Sequence, residues 1–141
     1  MSIKELLFSF QGRIGRKVYW IWNAVYYILI LGFSMGINQI FPAYSHLILP
    51  VFLVFVLIPD LAITAKRWHD RGKSNWWLLL NIPVIIGRMT VPANDPSQLA
   101  QSTTLQMVSS LAALVCGMWI LVECGFLKGE DGDNSYGAEP K

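Results

Sequence analysis

Charged residues are scarce in this chain. Only 14% of its 141 residues are Asp, Glu, Lys or Arg, whereas soluble domains carry roughly 25%. Hydrophobic residues make up 54% of the sequence, and the mean hydropathy is +0.45. This composition excludes an ordinary soluble domain and indicates one small membrane domain. Because the length leaves no room for a separate catalytic domain beside several membrane crossings, any activity lies among the helices or at their ends.

The chain is also poor in cysteine. Cys116 and Cys124 lack the C-x-x-C spacing of zinc sites, and they form no disulfide framework of the kind found in small secreted domains. Both lie in the last apolar run, where we expect reduced, packed thiols. The amino terminus has no apolar run followed by a small-residue cleavage site, so we expect no signal peptide.

Patterns that indicate catalysis are weak as well. Residues 72–74, Gly-Lys-Ser, resemble the end of a phosphate-binding loop, but the glycine that this loop requires upstream is replaced by Arg67. His69 precedes Asp70, yet neighbouring residues of a helix point about 100° apart, so this acid does not readily orient that ring. We therefore expect no catalytic residue, no metal site, no cofactor and no nucleic-acid partner.

Long apolar runs dominate what remains. Three of them, residues 18–40, 47–65 and 105–126, have the roughly 20 residues that a bilayer crossing needs. A fourth run, residues 76–89, contains Pro83 and is too short for a hydrocarbon core of about 30 Å. This run either crosses the bilayer with snorkelling and local thinning or re-enters the same face.

The other segments are polar or basic. Apolar residues at i, i+3, i+4 and i+7 from Ile3 predict a short amphipathic helix in the headgroup plane, within a basic amino terminus, residues 1–17. The remaining segments are a basic hinge (66–75), a polar loop (90–104) and a tail (127–141). The predicted fold is all-α: one integral membrane helical bundle over residues 1–141, with three to four membrane-embedded segments and the amphipathic amino-terminal helix.

Basic residues are concentrated beside the first two crossings. Eight of the eleven Lys and Arg residues lie in 1–17 and 66–73. Because such residues tend to remain on the cytoplasmic side, we expect a multi-pass protein with a cytoplasmic amino terminus. Six cations are predicted to form one basic collar against anionic lipid headgroups, with three indoles seated among those headgroups. The cations are Arg13, Arg16, Lys17, Arg67, Arg71 and Lys73, and the indoles are those of Trp68, Trp76 and Trp77.

Two carboxylates within the apolar runs need partners. Asp60 lies in the second run, and Glu123 lies near the end of the last. An unpaired carboxylate is costly in hydrocarbon. If residues 76–89 cross the bilayer, both termini lie in the cytoplasm, and we then expect both carboxylates to pair with Arg or Lys of the hinge. If that run is re-entrant, Glu123 is separated from Asp60 and the hinge. The cations in reach of Asp60 are Arg13, Arg16 and Arg67. The candidate polar cluster consists of the collar together with Asp60, His69, Asp70 and Glu123. An alternative function is a small ion or solute transporter or channel that uses Asp60 and Glu123.

Several short motifs, taken in their order along the chain, resemble the family called domain of unknown function 805. They are residues 10–17 (FQGRIGRK) with Tyr19-Trp20, residues 67–70 (RWHD) with Lys73-Ser74 and Trp76-Trp77, Pro83 with Gly87, and Gly129, Gly132, Asn134, Tyr136-Gly137 and Pro140 in the tail. The resemblance implies a small bacterial inner-membrane protein without an established biochemical activity. We expect a protein without enzymatic activity whose partners are anionic membrane lipids, another membrane protein or a second copy of the chain.

Overall fold

The computed structural model describes residues 1–90 and 104–141. These residues form helices, with no strand beyond an isolated bridge between Asn134 and Gly137. In chain order the helices are α1 (Ile3–Phe8), α2 (Arg16–Ile40), α3 (Ser45–Asp70), a 3₁₀-helix (Asn75–Leu80), α4 (Asn81–Thr90), α5 (Thr104–Ile120) and a π-helix (Leu121–Phe126) that continues α5. The predicted all-α membrane bundle is confirmed. The predicted polar loop, 90–104, lies outside the described residues except at its two ends.

Three helical stretches are long and apolar enough to cross a membrane: Arg16–Ile40, Ser45–Asp70 and Thr104–Phe126. The second extends further than the apolar run at 47–65 indicates, because the helix continues through Lys66–Asp70. Hydropathy falls at Lys66, but the polar side chains of this last turn are buried and hydrogen-bonded, so the helix persists. The first half of the predicted hinge is therefore the end of α3.

A glycine ends α3 and turns the chain. The N–H of Gly72 donates to the carbonyl of His69 (2.9 Å), and the N–H of Lys73 donates to that of Trp68 (2.8 Å). This pair of bonds is the Schellman arrangement, which places the residue after the cap in a left-handed conformation. Gly72 has φ +73°, which glycine adopts without the steric penalty of a Cβ. The connection to the 3₁₀-helix is therefore a tight turn.

The predicted amphipathic amino-terminal helix is shorter than its apolar pattern. α1 ends at Phe8, with Ser9 as its C-cap, so Phe10 follows the helix. A capping box between Ser2 and Glu5 starts α1. The backbone N–H of Ser2, and to a lesser extent its side chain, donate hydrogen bonds that lower the pKa of the Glu5 carboxyl. α1 packs against α3 through half-buried leucines, and its placement in the headgroup plane stays a prediction.

The start of α2, the end of α3 and the π-helix meet at one end of the bundle, here called the polar end. The indole of Trp20 donates to the carbonyl of Gly125 (2.9 Å), and Arg67 Nε donates to that of Cys124 (2.6 Å). α2 therefore leads away from the polar end, α3 returns to it, and Thr104–Phe126 runs towards it. The amino-terminal segment, the hinge and the carboxyl-terminal tail consequently share one side of the bundle.

Residues 75–90 descend from the polar end beside α3. Trp77 stacks on Trp68 at that end, with ring centroids 5.3 Å apart. Arg88, at the other end of the segment, lies 3.6 Å from the carboxylate of Asp60. Asp60 precedes Trp68 by two helical turns, about 12 Å, so the short fourth run reaches well into the bundle. α4 packs closely on α5, since a Cβ at Gly87 would lie 2.8 Å from that of Ala113.

The core is built from the aromatic first half of α2 and the second half of α3. Tyr19, Trp22 and Tyr26 are buried at helical spacing on one face of α2, and Ile63 and Trp68 face them from α3. Large apolar side chains cover much of the outer surface of the described residues. Such a surface is typical of a helix bundle whose solvent is lipid.

Candidate functional site

A buried ion cluster at the polar end is centred on Asp70. Its Oδ1 accepts hydrogen bonds from Arg13 Nε (3.1 Å) and Nη2 (3.0 Å), and its Oδ2 accepts one from Arg67 Nη1. The side chains of both arginines are fully buried, and that of Asp70 is nearly so. Two guanidinium groups thus share one carboxylate, which leaves a surplus of positive charge inside the protein.

Backbone carbonyls of the tail stabilise this surplus positive charge by accepting hydrogen bonds. Arg13 donates to the carbonyls of Glu130 (2.7 Å), Gly132 (2.7 Å) and Gly137 (3.2 Å). Arg67 adds a bond to the carbonyl of Leu127 (2.5 Å). In return, the N–H of Glu130 donates to the backbone carbonyl of Asp70 (2.7 Å). The tail therefore wraps around the two guanidinium groups and is part of the folded domain.

One tail position can only be glycine. A Cβ at Gly129 would collide with the carboxylate of Asp70 and would lie 2.8 Å from its backbone oxygen. The tail can therefore approach α3 only without a side chain at residue 129, and this approach lets the carbonyls of residues 127–132 reach the arginines. This close approach explains why a glycine belongs to the tail motif.

His69 is engaged separately from its neighbour Asp70. Its Nδ1 lies 3.0 Å from the carbonyl of Gly12, and its Nε2 lies 2.8 Å from Asn75 Oδ1. Its ring stacks in parallel on Tyr136, with centroids 4.1 Å apart. Both ring nitrogens have partners, so His69 joins the amino-terminal segment, the hinge and the tail. The expectation that Asp70 does not orient this ring agrees with the geometry.

Lys66 completes the interior of the polar end. It lies on the last turns of α3 and is fully buried. Its Nζ donates to the carbonyls of Leu6 (3.0 Å) and Ser9, which lie at the carboxyl end of α1. A cation at this position interacts favourably with the free carbonyls and the negative end of a helix. Lys66 therefore fastens α1 to α3.

Glu123 pairs with the hinge, as the sequence predicts. Its Oε2 lies 3.0 Å from Arg71 Nη2, and its Oε1 lies 3.4 Å from Lys73 Nζ. Lys73 Nζ also lies 4.1 Å from the ring centroid of Trp77, within the range of a cation–π interaction. These side chains are partly buried, so the cluster forms a half-exposed ion pair network at the rim of the polar end.

The predicted pairing of Asp60 with a hinge cation is wrong. Its Oδ1 accepts a hydrogen bond from the indole of Trp22 (3.0 Å), and its Oδ2 lies 3.6 Å from Arg88 Nη1. Arg88 also donates to the hydroxyl of Tyr26 (2.8 Å). The hinge lies two turns away, and its buried cation Arg67 is held by Asp70, whereas α4 brings Arg88 to the right depth. Asp60 and Glu123 therefore belong to separate ion clusters.

The structure divides the predicted collar of six cations into three groups. Arg13 and Arg67 are buried in the Asp70 cluster, and Arg71 and Lys73 pair with Glu123. The exposed group consists of Arg16 and Lys17, at the first turn of α2. The three indoles also separate: Trp68 is fully buried, Trp77 is half-buried and Trp76 is exposed. A single collar on the surface is therefore wrong, because the tail folds over two of its members and Glu123 pairs with two others.

The chemistry of these clusters is that of ion pairs. Asp60, Asp70 and Glu123 each face at least one cation within 4 Å, so each carboxylate is neutralised by a neighbour. Among the described residues, no group of three or more His, Cys, Asp or Glu side chains is placed to hold a metal ion.

Sequence reasoning missed two partners in this region. Arg88 and Trp22 hold Asp60. The sequence does contain an indication of Arg88, because a cation within a short apolar run requires a carboxylate partner, just as Asp60 requires a cation. The tail residues Asn134 and Tyr136 carried only a motif resemblance. Asn134 donates to the carbonyl of His69 (2.9 Å), a contact between residues far apart in the chain that local patterns do not indicate.

Comparison with known proteins agrees with the motifs. The chain is 30% identical to "Uncharacterized protein YiiR" of Escherichia coli (strain K12) over 140 residues, 99% of this chain and 90% of that protein. It is 28% identical to "Inner membrane protein YhaH" of the same organism over 88 residues, 59% of this chain and 71% of that protein. It is 30% identical to "Inner membrane protein YhaI" over 90 residues, 62% of this chain and 73% of that protein.

No solved structure matches the chain significantly. Two of the relatives are inner-membrane proteins by name, and the chain itself has three helices fit to cross a membrane, so it is a bacterial inner-membrane protein. The sequence model of one family, described as "Protein of unknown function (DUF805)", matches residues 7–138. Because that match spans nearly the whole chain, this protein belongs to the DUF805 family.

Proposed function

We propose that this protein is a non-enzymatic membrane protein whose polar end lies in the cytoplasm and contacts anionic lipid headgroups. The observation that carries the proposal is the pair of exposed cations, Arg16 and Lys17, at the first turn of α2. One turn further along, the indole of Trp20 is 41% exposed. Cations followed by a partly exposed indole at the start of a crossing helix are the arrangement that anchors helices at an anionic membrane surface.

The buried clusters support this role because they fix the chain segment that leads into the two exposed cations. Arg16 Nη1 donates to the carbonyl of Phe126 (3.0 Å) at the end of the π-helix. The adjacent residues 12–15 are fixed by the bonds of Arg13 and by the contact of Gly12 with His69. A pre-organised surface loses less conformational entropy on binding than a flexible one. The ion pairing of the three internal carboxylates supports a structural role for them rather than acid–base catalysis.

Orientation of the polar end is open to a direct test. We expect green fluorescent protein fused to either terminus to fluoresce, and alkaline phosphatase fused to either terminus to be inactive. Both termini lie on the same side of the bundle, and the basic residues beside α2 and α3 favour the cytoplasm for that side. Phosphatase activity of a terminal fusion would contradict the cytoplasmic placement, and opposite results at the two termini would contradict the shared side.

Lipid contact is tested with matched Lys→Gln variants in detergent, by native mass spectrometry with phosphatidylglycerol and phosphatidylethanolamine. Each cation near anionic lipid contributes about 1 kcal/mol, so we expect Lys17→Gln to bind phosphatidylglycerol about fivefold more weakly. The control is Lys128→Gln. Lys128 is also exposed, but it lies 2.5 Å from Asp131, whose hydrogen bond raises the pKa of Lys128. Its charge is already balanced, so we expect a change of less than about twofold.

Two results would argue against the lipid-contacting surface. One is equal binding of the two lipids by the unaltered protein, since the proposal requires a preference for the anionic headgroup. The other is an equal loss with Lys17→Gln and Lys128→Gln, which would indicate an effect of net charge alone. A combined variant, Arg16→Gln with Lys17→Gln, extends the measurement to both exposed cations.

A further inference from the structure

A cavity of about 290 Å³ lies inside the bundle at the depth of Asp60. α2, α3 and α4 contribute a polar side to it, through Asn23, Asp60, Asn81 and Arg88, whereas α5 contributes a largely apolar wall. Asp60 precedes Lys66, the first residue of the polar end on α3, by six residues, or about 9 Å along the helix, so the cavity lies on the apolar side of the polar end. The lining of this cavity is therefore more polar than the lipid that surrounds the bundle.

Asn81 carries an unpaired hydrogen-bond donor beside the cavity. Its side chain lines the cavity and the residue is only 7% exposed, yet within residues 1–90 and 104–141 its Nδ2 has no hydrogen-bond partner. A buried donor without an acceptor is costly, and the cost is greater in a region of low dielectric constant. The Nδ2 atom is closed off from the cavity in this structure, and rotation about χ2, a soft torsion in Asn, would turn it towards an acceptor on a bound molecule.

The charges around the cavity select against ions. Asp60 and Arg88 lie on the same side of it with opposite charges, 3.6 Å apart. Their outer partners, the indole of Trp22 and the hydroxyl of Tyr26, hold them in this arrangement. The pair adds no net charge to the site. A neutral ligand therefore fits its electrostatics better than a free cation or anion.

The mouth of the cavity faces the surface that lipid covers. It is rimmed by Tyr27 of α2 and by Leu114 and Met118 of α5, which are 53%, 64% and 53% exposed. α2 and the last crossing meet at the polar end, where Trp20 contacts Phe126 with ring centroids 5.6 Å apart. Further from the polar end, the cavity lies between α2 and α5. A molecule dissolved in the bilayer can therefore enter between α2 and α5.

We propose that this cavity binds a neutral, lipid-soluble molecule whose head is a single ring bearing carbonyl groups. The carbonyl oxygens accept hydrogen bonds from Asn81 and Arg88, the ring packs against α5, and an apolar tail leaves between Leu114 and Tyr27. The volume is at the lower end of the range for small-molecule sites, roughly 300–1,000 Å³, so one ring fits and a phospholipid headgroup with two acyl chains does not. This site is independent of the lipid-contacting surface at Arg16 and Lys17.

The probe is decylubiquinone, a ring with two carbonyl groups and a ten-carbon chain, and its control is decylbenzene, which lacks the carbonyls. We expect the full-length protein in phosphatidylcholine nanodiscs to bind decylubiquinone saturably, and decylbenzene at least about tenfold more weakly. Asn81→Leu keeps the number and branching of the side-chain heavy atoms but removes the donor, so affinity for decylubiquinone should fall about tenfold. Its thermal unfolding midpoint should be unchanged or higher, because no buried amide is left unpaired.

Gly117 provides a second, matched pair of variants. It lines the cavity, and a Cβ at this position would lie 3.7 Å from Val84, an ordinary contact. Gly117→Ala should therefore bind decylubiquinone like the unaltered protein, whereas Gly117→Phe fills the cavity and should abolish binding.

Three results would overturn the proposal: no saturable binding of decylubiquinone, equal binding of decylbenzene, or unchanged affinity in Asn81→Leu. Should Asn81→Leu fail to fold, the Gly117 pair decides, and equal affinity of Gly117→Ala and Gly117→Phe would overturn it. Because the phosphatidylglycerol measurement depends on other residues, failure of this site leaves the lipid-contacting surface unaffected.

Discussion

Replacing Asp70 with Asn is expected to lower the free energy of unfolding by about 3–5 kcal/mol, the cost of breaking a buried ion pair by removing one partner. The change leaves the fully buried guanidinium groups of Arg13 and Arg67 without their shared carboxylate. The substitution keeps the size and shape of the side chain, so the effect reports on charge. It is measured by titrating the purified protein with SDS in mixed micelles and following helix content by circular dichroism.

The control for this experiment is Asp131→Asn. Asp131 also pairs with a cation, Lys128, but both side chains are largely exposed. Exposed pairs contribute roughly 0–1 kcal/mol, so this variant should unfold close to the unaltered protein. Equal effects of the two substitutions would mean that the Asp70 cluster is accessible to water. A loss with Asp70→Asn should also free the tail, detected as faster proteolysis after residue 127.

The second large effect is expected for Trp68→Ala, at about 3–5 kcal/mol of unfolding free energy. Trp68 is the largest fully buried side chain in the described part of the chain, and its ring stacks on Trp77. Removal leaves a cavity where α3 meets the 3₁₀-helix, and the close packing around it relaxes only in part. The same SDS titration measures this loss.

Trp76→Ala is the matched control, since it removes the same side chain from a position that is 77% exposed. Surface substitutions of this kind usually change stability by less than about 0.5 kcal/mol. A third variant, Trp68→Phe, separates packing from hydrogen bonding. The indole nitrogen of Trp68 has no partner among the described residues, so Phe removes no hydrogen bond and should cost less than Ala. A loss from Trp76→Ala as large as that from Trp68→Ala would contradict the assigned burial.

The buried clusters explain why the family motifs are scattered along the chain. The first motif contributes Arg13, the second contributes Arg67 and Asp70, and the tail contributes the carbonyls of Gly132 and Gly137. Bonds between these segments join residues 57 to 124 positions apart. The motifs are therefore parts of one structural unit that closes the polar end of the bundle.

What the sequence determined by itself follows from local composition. The all-α membrane class is confirmed, and the three long apolar runs form helices that are long and apolar enough to cross a membrane. An apolar run of about 20 residues must form a helix to satisfy its backbone in lipid. The pairing of Glu123 with the hinge followed from the sequence on the condition that residues 76–89 cross, because the last run then ends on the same side as the basic residues that follow the second run. The helix class depends on the composition of about 20 neighbouring residues, and the pairing of Glu123 depends on the side of the membrane at which the last run ends.

Only the tertiary structure decided which charges are buried and which carboxylate meets which cation. Arg13 and Arg16 belong to the same motif, yet the first is buried by tail carbonyls and the second is exposed. Asp60 meets Arg88 because α4 descends beside α3, and the same packing creates the cavity and leaves Asn81 unpaired at its wall. The physical reason is that hydropathy is a sum over neighbouring residues, whereas burial and pairing depend on segments that meet only after the chain has folded.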